Sequence, residues 1–245
     1  MVERGGSFSR AVRFGLQSWG ASLLQQLNYR LDILILGGFA TAREVGVYSV
    51  AVTVTAIAWV LPQALGTVLF PRVASLDEST EMGLLTTEES DAAAAKSVRH
   101  GVLLILPAAG LISLLLLVAV PLLYGSKFSE ATTLGFVLLP GVLILGVAKI
   151  LSYTISGRGF PRYALYVGAI TLPLTLALYF SLIPAFDAWG AATGSTASYV
   201  LTTVVMLFFF RRATSIDVRS AFVPRAEDVA DYVVLARLAR GRFVR

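Results

Sequence analysis

The chain has 245 residues, 56% of them hydrophobic and 14% charged, with a formal net charge of +5 and a mean hydropathy of +0.77. A soluble domain usually carries about 25% charged residues, so the composition excludes a soluble enzyme, a disordered segment and a nucleic-acid-binding domain. The absence of cysteine and the single histidine, His100, exclude disulfides, thiolate chemistry and a His cluster, and no metal or cofactor is expected.

Six apolar stretches follow in chain order, at 14–39, 45–70, 101–123, 131–155, 163–184 and 188–210. Each meets the roughly 20 residues a membrane-spanning helix needs. The predicted class is an all-α integral membrane protein with a six-span helical bundle at 14–210, a basic N-terminus at 1–13 and a basic tail at 211–245. The first stretch is no signal-peptide core, because it holds Gln25, Gln26, Asn28, Arg30 and Asp32. On a continuous helix, Ser18, Ser22, Gln25, Tyr29 and Asp32 share one stripe roughly 80° wide. Arg30 falls about 160° from Asp32 on that helix, so the two are not expected to pair.

The second stretch carries a stripe of Tyr48, Thr55, Trp59, Pro62 and Gly66, with a kink predicted at Pro62. The segment 71–100 puts acids first and bases last, ending in Lys96 and Arg99. That order suits a surface helix leading into the third span. The fourth stretch has Pro140-Gly141 and then Lys149 with Tyr153 at i+4. In the sixth, Gly190, Gly194 and Ser198 form a ladder of small residues for close helix packing. Beyond Pro224, Val229, Tyr232, Val233, Leu235 and Leu238 predict an amphipathic surface helix ending in Arg237, Arg240 and Arg242.

With six spans, 16 Lys and Arg residues fall on one side and only Arg43 and Lys127 on the other. Basic residues collect on the cytoplasmic side, so both termini are expected there. Three charges remain inside the spans: Arg30, Asp32 and Lys149. Each costs at least about 2.5 kcal/mol in a bilayer. Lys149 can snorkel to headgroups or face a cavity; the shorter Asp32 has less reach. No catalytic constellation is present. Gly157-Arg158-Gly159 lacks the strand-to-helix setting of a phosphate loop, and the carboxylates of 71–100 read as a solvated face.

The run Tyr29-Arg30-Leu31-Asp32-Ile33-Leu34-Ile35-Leu36-Gly37, then Glu44-Val45-Gly46-Val47-Tyr48-Ser49-Val50-Ala51, carries a family likeness. So do Trp59-Val60-Leu61-Pro62-Gln63-Ala64-Leu65, Val68-Leu69-Phe70-Pro71-Arg72 and Tyr124-Gly125-Ser126-Lys127-Phe128. Together they resemble the opening of the C-terminal half of a polysaccharide or O-antigen type lipid-linked oligosaccharide flippase. That family belongs to the multidrug/oligosaccharidyl-lipid/polysaccharide exporter superfamily.

The resemblance implies one half of a two-bundle exporter in the bacterial plasma (inner) membrane, flipping undecaprenyl-diphosphate-linked oligosaccharide. Its partners would be the lipid-linked glycan, membrane lipids and a second bundle, either a missing N-terminal half or a parallel second copy. On this reading Arg30, Lys149, Gln25, Tyr29 and Tyr153 contact the substrate, and Asp32 couples to an ion. The alternatives are a small-molecule exporter of the same superfamily and a non-transporting subunit of a polysaccharide assembly complex.

Overall fold

A computed structural model describes residues 4–223, 225, 227 and 228. Two helices occupy the first apolar stretch, α1 at Arg4–Asn28 and α2 at Leu31–Phe39. The predicted continuous helix is therefore broken. Arg30 sits at φ −118° and donates to Leu27 only three residues back, which ends the α-helical register. Helix α1 begins inside the segment read as a basic N-terminus.

Thr41 then caps α3, Ala42–Ala56. Its hydroxyl accepts from the Glu44 N–H while the Glu44 carboxylate accepts from the Thr41 N–H, satisfying two donors that a bare helix start leaves open. A tight turn at Ile57–Trp59 separates α3 from α4, Val60–Glu81. Pro62 explains the turn, because it has no N–H to offer the carbonyl four residues back, that of Ala58. The predicted kink is thus displaced one turn ahead of the proline.

Helix α4 runs past the predicted end of the second span, to Glu81. Thr86 and Glu89 form a second reciprocal cap on α5, Thr87–Leu103. Segment 71–100 is therefore the end of one helix and the start of the next. Helix α6, Ile105–Leu114, passes through a wide turn at Leu115–Ala119 into α7, Val120–Tyr124. Pro121 cannot bond the Leu117 carbonyl, and the Thr132 hydroxyl donates to the nearby Leu116 carbonyl at 3.0 Å.

Helix α8, Ser129–Gly157, is the axis of the bundle and packs on α3, α4, α5, α6 and α9. Gly141 lets two backbones come close: a Cβ there would lie 2.7 Å from Thr196 Cα. Helix α9, Arg162–Ala213, has 52 residues. At 1.5 Å per residue that is about 78 Å, far beyond a hydrocarbon layer of about 30 Å. It is not one rod. Asp187 has φ 49° and ψ −126°, a left-handed conformation that turns the chain back.

Cross-pairs prove the reversal: the hydroxyls of Thr175 and Ser198 lie 2.5 Å apart and those of Tyr179 and Ser195 3.0 Å apart. Gly190 lies against the Leu182 carbonyl and Gly194 against the Tyr179 ring. The small-residue ladder is the seam of this antiparallel hairpin. By length and apolarity, four helical stretches among the described residues qualify to cross a membrane: 42–81, 87–124, 126–157 and 162–213.

A short helix α10, Val218–Phe222, folds back onto α5. Arg99, 3% exposed, binds Asp228, 0% exposed. Two guanidinium nitrogens reach its two carboxylate oxygens, and a third bond goes to the Ser220 carbonyl. Asp91 accepts from both Arg158 and Ser215. These two carboxylates tie the tail, the α8–α9 connection and the start of α5 into one latch. The predicted surface helix over Val229–Leu238 lies outside the described residues.

Candidate functional site

A cavity of about 380 Å³ opens between α1, α8 and α9, with Phe70 of α4 on its wall. Helix α1 and the residue after it contribute Ser18, Ser22, Gln25, Asn28 and Tyr29; α8 contributes Lys149, Ser152, Tyr153 and Ser156. Both sets recur every three or four residues, the spacing that aligns side chains on one helix face. Thr171 and Thr202 bring hydroxyls from the two arms of α9. Gly66 leaves the room that the Tyr153 ring fills.

Lys149 is 6% exposed. Its ammonium lies 4.7 Å from the centroid of the Tyr29 ring and 5.0 Å from that of Trp59. The two rings are 4.7 Å apart, and Tyr199 stands edge-on to both at 6.1 and 6.0 Å. A cation over an aromatic face gains about 2 kcal/mol when desolvated, which holds the lysine without neutralising it. No described carboxylate pairs with it. Around this cage Asn28 Oδ1, Tyr29 Oη and Trp59 Nε1 are buried with no hydrogen bond of normal geometry. Buried polar atoms are ordinarily paired; here the Gln25 side chain stands beside the Tyr29 hydroxyl, and Asn28 Oδ1 and Trp59 Nε1 are left open next to the cation.

Asp32 is elsewhere. Its side chain is fully buried. One oxygen accepts from the Tyr48 hydroxyl at 2.7 Å and from Ser195 at 3.3 Å, the other from the Ile33 N–H at 2.7 Å. Tyr179 in turn reaches Ser195 at 3.0 Å. Arg30 is exposed on the surface of the bundle and does not line the cavity.

Of the six predicted site residues, Gln25, Tyr29, Lys149 and Tyr153 come together, and Asp32 and Arg30 do not join them. The reason is the break at Tyr29 and Arg30. The stripe assumed 100° per residue straight through it, whereas α2 starts a new phase that turns Asp32 toward Tyr48. Sequence reasoning missed the hydroxyl partners Tyr179 and Ser195, which carry no local signal. Tyr48 stood on the polar stripe of the second stretch and was not linked to Asp32. Among the described residues no group of three His, Cys, Asp or Glu side chains gathers as a metal site.

The arrangement can hold a polar anionic group without covalent chemistry. A family model described as polysaccharide biosynthesis protein matches residues 3–133, just over half of the chain. Two curated proteins of Haloferax volcanii are similar. The probable low-salt glycan biosynthesis flippase Agl15 is 26% identical over 76% of this chain and 38% of its own length. The probable flippase AglR is 27% identical over 80% of this chain and 42% of its own. The chain thus spans well under half the length of these relatives. An outward-facing multidrug resistance MATE family transporter of the MOP superfamily shares the fold, with a TM-score of 0.64 and 21% identity. The match covers 91% of this chain and 49% of that one.

Proposed function

The chain belongs to the polysaccharide biosynthesis protein family, and on that premise we propose that it is one bundle of a membrane flippase for lipid-linked glycans. The observation that carries the proposal is Lys149, an unpaired cation buried in a polar cavity inside an apolar bundle. A charge so placed is costly unless it has a task. Moving a lipid-linked glycan breaks no bond, so the chain acts as a transporter and not as an enzyme.

Six spans follow if α1 with α2, α3 with α4, α5 with α6 and α7, α8, and each arm of α9 cross once. Both termini then lie in the cytoplasm, with 1–13 and 211–245 flanking the bundle. The membrane is the plasma membrane, and in a bacterium the glycan carrier is undecaprenyl diphosphate. Lys149 draws the anionic headgroup, and Gln25, Tyr29 and Tyr153 bond to it. Arg30, on the outer face, adds positive potential toward a second bundle, supplied by an N-terminal half or by a parallel copy. Asp32 couples to a cation or proton through its hydroxyl network.

In the cysteine-free chain, single cysteines at positions 215 and 126 test the topology. A membrane-impermeant thiol reagent added outside should label 126 and spare 215; the reverse pattern sinks the six-span reading. Loss of the chain tests the function. A flippase leaves completed lipid-linked glycan stranded on the cytoplasmic face. An assembly subunit leaves it unmade, and a drug exporter leaves surface glycan unchanged.

A further inference from the structure

The cavity lies wholly within one bundle, since every lining residue comes from α1, α4, α8 or α9 or the turns beside them. We propose that it is a self-contained site for a single pyranose carrying one anionic group, a phosphate or a carboxylate, and that it fills without any second bundle. The inference deepens the flippase reading above and rests on it for its place in transport.

Size sets the first limit. Small-molecule cavities run from about 300 to 1,000 Å³, so 380 Å³ admits one sugar ring with one substituent and not an oligosaccharide. Charge sets the second. Lys149 is the single charged residue among the described residues that line the cavity. One ammonium with no opposing carboxylate matches one negative charge. Its π-faced side is already occupied by Tyr29 and Trp59, which leaves its donors for a ligand in the cavity.

The wall sets the third. Ser18, Gln25, Ser152 and Tyr153 present hydroxyl and amide groups that both donate and accept, as a ring of sugar hydroxyls requires. Asn28 Oδ1, buried and unpaired, adds an acceptor for a sugar O–H and cannot serve the anion. A bare phosphate would leave these groups unmatched, and an uncharged sugar would leave the lysine unmatched. Each loss of a buried charge-assisted partner is large compared with a neutral bond.

Trp59 reports occupancy, because it touches the Lys149 ammonium. Trp19 and Trp189, 65% and 41% exposed, are replaced by Phe to leave it alone. The purified chain in detergent is titrated with a hexose 1-phosphate, a hexuronate, an uncharged hexose and inorganic phosphate. Both charged sugars should change Trp59 fluorescence at concentrations at least tenfold below those needed for the hexose or for phosphate. A gap between the two charged sugars identifies the anion as phosphate or carboxylate. Lys149→Met should abolish the response and Lys149→Arg should keep part of it.

Equal response to the hexose or to inorganic phosphate overturns the site, as does no response from a chain that melts cooperatively. Failure here with export intact leaves the flippase reading standing. Binding as described with export unaffected by loss of the chain keeps the site and removes the flippase.

Discussion

Replacing Asp228 by Ala should destabilise the detergent-solubilised protein by about 3 kcal/mol, and Arg99→Ala by a similar amount. Removing one partner of a buried ion pair costs about 3–5 kcal/mol because the other charge is left without compensation. The lower figure applies because Asp228 lies at the periphery of the bundle, with few protein atoms beyond its immediate partners. Both side chains are nearly inaccessible. Arg99 spends two N–H groups on Asp228 and one on the Ser220 carbonyl of α10, and the Arg225 N–H also donates to Asp228.

The latch has a pH signature. The hydrogen bonds from Arg99 hold the Asp228 carboxyl down to about 2, against an ordinary 3.8. A carboxyl lowered on folding stabilises the fold above its ordinary value and loses that contribution as the pH falls from there through the folded value. His100, 3.6 Å from the same carboxylate, adds to the pull when protonated. The melting temperature of the native chain should therefore converge on that of Asp228→Asn between about pH 4 and pH 2. A constant gap across that range contradicts the latch.

Lys149→Met is expected to raise stability and remove function together. The ammonium is buried against two π-faces with no described carboxylate beside it, and a buried ion forfeits several kcal/mol of hydration. Methionine follows the same unbranched path and packs against aromatic rings. We expect a gain of about 1–3 kcal/mol in thermal unfolding, with surface glycan falling at least tenfold. Functional groups held against stability behave this way. A methionine variant that melts lower, or one that exports normally, removes the role given to Lys149.

The all-helical membrane class of the bundle was legible because its signals are local. The apolar stretches, the Gly190–Gly194–Ser198 seam and the turn associated with Pro62 depend on residues near one another in the chain. The cavity wall was legible for a similar reason. Lys149 and Tyr153 are one turn apart on unbroken helix, and Tyr29, just past the end of α1, still donates its N–H to the Gln25 carbonyl one turn back.

The break at Tyr29 and Arg30 was not legible, since neither residue is a helix breaker. There the tertiary bonds of Asp32 to Tyr48 and Ser195 accompany a lost turn of helix. Those partners lie 16 and 163 residues away. Arg99 and Asp228 are 129 residues apart, and nothing between them predicts their meeting. The aromatic cage around Lys149 likewise draws Trp59 from one helix junction and Tyr29 from another.

Translocation in sealed vesicles tests the central claim most directly. The chain is reconstituted as a monomer, as a cross-linked parallel pair, and with a co-expressed first half. A polyprenyl-diphosphate-linked sugar is then followed by its accessibility to an impermeant sugar oxidant. The account predicts that lipid-linked sugar crosses only where two bundles are present, and that Lys149→Met stops it there. Translocation by the monomer, or by none of the three, would contradict it.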